Sequence, residues 1–477
     1  MSDSDNPASD ILGWENGFWH NESIRINQRD GLNDTEMEAL VSRAMARVEY
    51  LRNREFKKYV PVSVISREEY RENGGNNSPD PSYVKWNNQI WEALFIVGEE
   101  TNVVEVMQST TTASVLGFYS PSDNEIKIIT ENPSEPTIKR GTLVHELVHA
   151  LQDQYVGLYS KQFFAQTQDE SLAIDGVIEG EANYLQYLYA QRCGEEWSCV
   201  DPPQQSDDDD NDSTTQFNTG IFVTIFHPYS DGPVYIHWLV QQNGWSAVNN
   251  AYKNPPETTE QIIHTTNESQ VPISFQNRSQ NGWRVFPKQG KNGWDSVGEA
   301  SIFAMFWYQS RQTNTSLIEG RNFTTVQYPY DTYNYVSEPS MGWANDMIVP
   351  YHKRGQYGYM WITKWDTRKD AVEFKTTYIA MLKAHQADQM ADQLWVIPNG
   401  SFADTFKIIH TNQTVIIVNG PDQEAVANIY PESPSNVETD QPTTASPTES
   451  FGQSGFGIII AMIAFLIVII HSIRKNS

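Results

Sequence analysis

Residues 142–151 include side chains of the types that could bind a metal ion and activate water. His145 and His149 lie four positions apart, and Glu146 follows the first histidine. On an α-helix such residues lie one turn apart on one face, so both imidazoles can bind one Zn²⁺. Glu146 could then act as general base on the water that zinc activates. The flanking residues are uncharged and include no proline or glycine, which strengthens this interpretation. The alternative is a buried helix whose two histidines only hydrogen-bond.

A zinc site of three protein ligands needs one more side chain. Residues 172–185 have the apolar period of a helix and carry two acids, Glu179 and Glu181. Helical phase puts Glu181 inside the apolar stripe and Glu179 at its edge. An acid inside such a stripe is costly unless it is paired or metal-bound. Phase alone therefore leaves both acids open as the third ligand.

The order of these motifs resembles the gluzincins, zinc peptidases whose ligand glutamate follows H-E-x-x-H on the next core helix. Their aminopeptidase branch writes that ligand as N-E-G-x-A, and Glu179-Gly180-Glu181-Ala182 is similar. The resemblance implies that Glu179 is the zinc ligand and that Glu181 lies beside the ligands or faces the substrate. It also implies a Tyr or His from the second half that stabilises the oxyanion.

Three residues after the metal helices are candidates for that oxyanion role: His264, Tyr235 and His237. We rank His264 first because it ends a run, ETTEQIIH, that takes part in a wider resemblance. The alternative is that His264 is structural.

That wider resemblance is to predicted metalloprotease-like surface proteins of halophilic archaea, and it spans about residues 30 to 385. It implies an α+β fold: a zincin- or gluzincin-like, two-lobed domain with an HExxH active-site helix that acts on a peptide or protein. The stretches that carry it are HELVHALQDQ (145–154), Ala44 to Glu49 with Val60 to Val62, Asp231-Gly232-Pro233, ETTEQIIH (257–264) and YGYMWITKWDTRKDAVE (357–373).

Local patterns predict the elements that would position this chemistry. Ser114 to Tyr119 and Glu125 to Ile129 are predicted strands joined by a turn, a hairpin that leads into the H-E-x-x-H helix. In zincins the edge strand beside the metal pairs with an extended substrate. A capping box at 35–38 predicts a helix to about Asn53, and Gly355 to Lys364 is a predicted strand before a helix at 367–384.

Composition favours a halophile. There are 60 acids against 33 Lys plus Arg, with a net charge of −27 and a pI near 4.7. This balance keeps a protein soluble at high salt and argues against a nucleic-acid partner, which needs positive charge. The alternative is an acidic extracellular protein from any source.

The C-terminus predicts attachment to a membrane. We divide the chain into an irregular segment (1–30), a metallopeptidase body (31–430), a Ser/Thr/Pro-rich stalk (431–453) and a transmembrane or sorting segment (454–477). The apolar run from Gly455 to Ile473 is nearly long enough to span a membrane. The basic residues Arg474 and Lys475 after it would lie on the cytoplasmic side. Ser454-Gly455-Phe456 resembles the archaeal P-G-F sorting signal; Ser454 replaces its proline, so a retained helix is the alternative to cleavage and lipidation.

Other features favour export. The N-terminal residues do not have the pattern of a signal peptide, and we expect that a signal peptide either lies upstream of residue 1 or has been removed. Ten N-x-S/T sequons are present, and Cys193 and Cys199 could form a disulfide. We therefore predict a cell-surface zinc metallopeptidase with Glu146 as general base. The alternative is a non-catalytic surface protein that keeps a peptidase-like fold for binding or envelope structure. The cleaved bond and the oligomeric state have no signal in the sequence.

Overall fold

The computed structural model describes residues 6–73, 79–112, 115–130, 132–202 and 217–431. The helices in these ranges are α1 (Asp34–Arg52), α2 (Arg67–Asn73), α3 (Pro81–Ala93), α4 (Val103–Thr112), α5 (Arg140–Val156), α6 (Gln168–Arg192), α7 (Thr219–Ala251), α8 (Thr259–Ile263), α9 (Gly298–Gln312), α10 (Arg368–Ala384) and α11 (Gln423–Ile429). The strands are β1 (Trp14–Glu15), β2 (Phe18–Trp19), β3 (Val62–Ser66), β4 (Gly117–Ser120), β5 (Glu125–Thr130), β6 (Arg284–Val285), β7 (Trp343–Lys353), β8 (Gln356–Trp365), β9 (Asp388–Ala391), β10 (Leu394–Val396), β11 (Thr405–Thr411) and β12 (Thr414–Gly420).

The N-terminal segment is more ordered than we predicted, because β1 and β2 form a small antiparallel hairpin within residues 1–30. Helix α1 begins at Asp34, one residue before the predicted capping box. Asn33 caps it: its side chain accepts the backbone N–H of Glu36, and Glu36 accepts the backbone N–H of Asn33. Thus the capping pattern predicted the helix but misplaced the capping pair by two positions.

The predicted hairpin before the H-E-x-x-H helix is present as β4 and β5. Strand β5 lies in the middle of a three-stranded sheet, parallel to β3 and antiparallel to β4. Strand β4 is an edge strand, and one of its backbone N–H groups, that of Tyr119, bonds to α5 instead of β5. The hairpin therefore lies directly against the helix that carries the two histidines.

Helices α6 and α7 cross at glycines. A Cβ on Gly180 would lie 2.5 Å from the carbonyl carbon of Gly232, and a Cβ on Gly232 would lie 2.5 Å from the carbonyl oxygen of Gly176. Only glycine allows two backbones to approach so closely. This crossing brings the middle of α7 to the part of α6 that carries Glu179.

A seven-stranded sheet dominates the C-terminal part, in the order β6-β7-β8-β12-β11-β10-β9 with every pair antiparallel. One hydrophobic core joins this sheet to α3, α7 and α9; it includes Trp86, Phe222, Phe303, Trp361 and Ile417. A smaller core under α11 contains Val349, Met360 and Val426. Helices α3, α7 and α9 thus share one core with the sheet.

The predicted fold class is corrected in two respects. We expected a gluzincin-like α+β body of two lobes followed by a transmembrane helix. The described chain is a mixed α/β structure with a large antiparallel sheet. In the ranges that the structure describes, no helix is long and apolar enough to cross a membrane. The predicted stalk from 432 and the segment 454–477 lie outside those ranges.

Candidate metal centre

His145 and His149 lie on the same face of α5, one turn apart, as the i, i+4 spacing predicts. Their Nε2 atoms are 3.0 Å apart and their rings are nearly perpendicular, at 83°. Both side chains are buried. Apolar residues on either side pack into the surrounding core and fix this face of the helix inward; they include Leu143, Val144, Leu147 and Val148.

Glu179 on α6 completes a group of three. Its Oε2 lies 3.1 Å from the Nε2 of His145 and 3.3 Å from the Nε2 of His149. A tetrahedral zinc site with bonds of about 2.0–2.1 Å has ligand–ligand edges of about 3.3 Å, close to these separations. Two imidazole nitrogens and one carboxylate oxygen are also a common donor set of zinc in enzymes. The three side chains therefore fit a zinc ion.

Electrostatics couples the three side chains strongly. Burial alone would lower the pKa of His149, but the neighbouring Glu179 carboxylate raises it to about 9. Burial alone would raise the pKa of Glu179, but His149 and His145 lower it to about 2. Glu179 is thus held as a carboxylate against the imidazoles, which is the form in which it can bind a metal.

Gln152 orients His149 from one helical turn away. Its Oε1 lies 2.9 Å from the Nδ1 of His149, so Nε2 points at Glu179. Its Nε2 donates to the carbonyl of Ile178 at 2.9 Å and to Glu181 Oε2 at 3.1 Å. A hydrogen bond to the far nitrogen of a metal-binding histidine fixes its tautomer and ring orientation.

Glu181 is not part of the group of three. It forms a buried ion pair with Arg52 and accepts hydrogen bonds from Gln152 and from the hydroxyl of Tyr252. These partners compensate the burial of its charge, and so explain how an acid can occupy the apolar stripe of α6. Between the two acids, the structure brings Glu179 to the histidines, and Glu181 supports Gln152.

Glu146 lies beside the group, on the same helix. Its Oε2 accepts the backbone N–H of Tyr119 in β4 at 3.0 Å. Burial raises the pKa of Glu146, while His145 and His149 oppose that shift. The edge strand therefore fixes the orientation of this carboxylate.

Tyr229, which the sequence did not single out, also contacts the group. It lies on α7, its ring stacks on that of His145 with centroids 6.3 Å apart, and its hydroxyl donates a hydrogen bond to Glu179. Burial and then the Glu179 carboxylate raise the pKa of Tyr229 well above its ordinary value. The Nδ2 of Asn183 donates to the carbonyl of Tyr229 at 3.0 Å. A second buried acid, Asp175, lies one helical turn before Glu179, and burial and Glu179 raise its pKa.

The three residues predicted for the oxyanion role have other partners. His264 ends α8, and its Nε2 lies 2.9 Å from Glu299 on α9. His237 lies 2.9 Å from the hydroxyl of Tyr184. Tyr235 packs in a hydrophobic cluster beside Trp238. None of the contacts described for these residues involves His145, His149 or Glu179.

Comparison with known proteins bears only on the C-terminal part. Residues 284–430 match a family model described as a domain of unknown function (DUF8575). This match covers β6 to α11 and so contains the seven-stranded sheet, whereas α5, α6 and α7 lie before it. The chain has no match among the curated proteins.

Proposed function

We propose that this protein is a zinc-dependent peptidase whose metal ligands are His145, His149 and Glu179. The observation that carries the proposal is the convergence of two Nε2 atoms and one carboxylate oxygen within 3.0–3.3 Å of one another, next to a further carboxylate, Glu146. Helices α5 and α6 supply the ligands, and α6 packs closely against α7 at glycines of both helices.

Zinc held there would act as a Lewis acid and lower the pKa of water to about 7. Glu146 would take the proton from the attacking water and deliver it to the departing amine. The backbone N–H of Tyr119 holds that carboxylate in place. The Tyr229 hydroxyl would exchange its hydrogen bond to Glu179 for one to the carbonyl oxygen of the substrate as negative charge develops on that oxygen.

The edge strand β4 offers a binding mode for an extended peptide. No strand pairs with its outer edge, where the Tyr119 N–H bonds to Glu146, and a peptide could add to the rest of this edge by β-augmentation. Since Tyr119 of this strand bonds to Glu146, a peptide paired there would lie along the catalytic carboxylate. We therefore propose peptides or proteins in extended conformation as the substrates.

The disulfide between Cys193 and Cys199 supports action outside the cytoplasm, because such bonds persist in oxidising compartments. The ten sequons are consistent with export. We propose that the body acts at the outer face of the cell.

A peptide-library digest at high salt tests this proposal. We expect the wild-type protein to cleave peptides, a strong zinc chelator to stop cleavage, and added zinc to restore it. Glu146→Gln should be inactive, because the amide cannot accept a proton from water. Glu125→Gln is the matched control, because Glu125 lies on β5, the strand that pairs with β4. This variant should remain active. Cleavage by Glu146→Gln at the wild-type rate would refute the assignment.

The depth of the site supports a second candidate function. His145, Glu146, His149 and Glu179 are 2–5% exposed, so a zinc ion there could be structural in a non-catalytic binding protein. The same digest separates the two functions. A structural zinc predicts one zinc per chain, no cleavage by the wild type, and a large loss of thermal stability when zinc is removed.

A further inference from the structure

A second group of acids, far along the chain from the zinc ligands, lies where the N-terminal helices meet the sheet. Glu92 on α3, Glu99 in the following loop and Asp404 next to β11 place one carboxylate oxygen each within 4.8 Å of the others. We call these three residues the α3–β11 cluster. Glu92 and Asp404 are buried and share a hydrogen bond, and Glu99 is half-buried. Three carboxylates so close together repel one another unless protons or a cation neutralise them.

The charged groups that act on the α3–β11 cluster are all acids. Glu92 and Asp404 are affected by each other and by Glu99, and Asp422 acts on Asp404 as well. Burial, followed by these carboxylates, raises the pKa of Glu92, and burial raises that of Asp404 to about 7. No lysine, arginine or histidine of the described chain is among the charges that shift these values. The charges that raise these two pKa values are therefore all negative, and one proton lies in the hydrogen bond that Glu92 and Asp404 share.

Two buried amides end against the same carboxylates. The Nε2 of Gln89 donates to Glu92 at 2.5 Å, and the Nδ2 of Asn419 donates to Asp404 at 2.9 Å. Both side chains are at most 1% exposed, and the oxygen of each amide has no hydrogen-bond partner. An unpartnered buried acceptor costs about 1–3 kcal/mol, and a half-turn of the amide would point its oxygen at the carboxylates. A cation among them would give both oxygens a partner.

We propose that the α3–β11 cluster, together with the amide oxygens of Gln89 and Asn419, binds one calcium ion. The donor set contains only oxygen, which is the ligand of hard cations and not of zinc. The five side chains supply five oxygens if each gives one and eight if all three carboxylates are bidentate, a range that includes the six to eight ligands of calcium. Mg²⁺ is less suitable, because it retains several waters and the site is largely buried.

The calcium ion would fasten α3 to the seven-stranded sheet. The loop after α3 already lies against the segment before β11, since a Cβ on Gly98 would be 2.6 Å from the Cβ of Ser401. Calcium would join Glu92 and Glu99 on one side of this contact to Asp404 on the other. This role is independent of the proposed peptidase chemistry, because the three acids form a group that shares no residue with His145, His149 and Glu179.

Calcium titration of the full-length protein tests this inference. After removal of calcium on a chelating resin and restoration of zinc, added calcium should raise the thermal unfolding midpoint by about 2–5 °C at saturation. Terbium, a luminescent substitute for calcium, should bind at the cluster. The ring of Tyr359 should sensitise its emission, because burial raises the pKa of Tyr359 and the charges of Glu92 and Asp404 are close enough to raise it further. Asp404→Asn should abolish both responses. Glu99→Gln, in the half-buried loop position, provides a second test if Asp404→Asn does not fold.

Glu100→Gln is the matched control, because Glu100 is the exposed neighbour of Glu99. It should respond to calcium like the wild type. The inference is overturned if calcium leaves the wild-type midpoint unchanged, or if Glu99→Gln and Glu100→Gln respond equally. The inference is also overturned if the thermal unfolding midpoint rises on acidification but does not change when calcium is added. In that case a shared proton, and not calcium, would neutralise the cluster.

Discussion

The backbones of Gly180 and Gly232 are in contact, and this contact fixes the distance between the helix that carries Glu179 and the helix that carries Tyr229. Gly180→Ala would place a methyl group 2.5 Å from the carbonyl carbon of Gly232. We expect the helices to separate, at a cost of about 1–3 kcal/mol in the free energy of unfolding. Urea unfolding measures this change. Gly320→Ala is the control, since a Cβ there meets no atom within 4 Å, and equal midpoints for the two variants would contradict this account.

Gln152 should affect zinc affinity and Glu181 should affect stability, although neither residue is a zinc ligand. Gln152→Ala removes the hydrogen bond to His149 Nδ1, and we expect zinc to bind about 10–100-fold more weakly. Glu181→Gln leaves Arg52 buried beside a neutral partner, so the free energy of unfolding should fall by about 3–5 kcal/mol while zinc remains bound. Competition with a chromophoric chelator and urea unfolding measure the two effects. Complete loss of zinc from Glu181→Gln would instead make it a ligand.

Tyr229→Phe should lower kcat by about 10²–10³ with zinc still bound, because loss of one oxyanion donor has an effect of that size. Tyr235→Phe is the matched control: it removes the same hydroxyl from α7, six residues further along, and should leave kcat unchanged. His264→Ala tests the residue that the sequence favoured. A larger loss of kcat in His264→Ala than in Tyr229→Phe would reverse our assignment.

The paired acids Glu15 and Glu49 should make stability depend on pH. Burial, together with their mutual repulsion for Glu15, raises the pKa of each to about 8 from an ordinary 4.5. Between pH 4.5 and 8 the folded chain retains protons that the unfolded chain has lost, so the free energy of unfolding falls as pH rises. The urea midpoint of unfolding should therefore decrease as the pH rises from 4.5 to 8. The decrease should be less steep in Glu15→Gln than in the wild type. Glu38→Gln, an exposed change on α1, should keep the wild-type slope.

Local features could be predicted from the sequence. The spacing of His145 and His149 and the alternation of the β4–β5 hairpin depend on residues close in the chain, and both elements lie where these patterns indicate. Helical phase placed Glu181 in the apolar stripe but could not show whether a metal or another side chain compensates its charge. The partners that allow its burial, such as Arg52, are remote in sequence. The choice of Glu179 came from the motif resemblance.

Long-range contacts could not be predicted. Tyr229 reaches the histidines only through the glycine crossing of α6 and α7, and Pro228 and Pro233 on either side of it obscure the helical pattern. The seven-stranded sheet pairs β8 with β12, about fifty residues away, so no local pattern specifies it. The Gln89 and Asn419 amides meet the α3–β11 cluster from opposite ends of the chain.

The most direct test of the central claim is the zinc content of the purified protein, measured by mass spectrometry of the metal. We predict one zinc per chain in the wild type and in Glu146→Gln, because that carboxylate is not a ligand. His149→Ala and Glu179→Gln should each contain almost none, since they remove one of the three converging donor atoms. Full zinc occupancy in both of these variants, with circular dichroism showing them folded, would contradict the account.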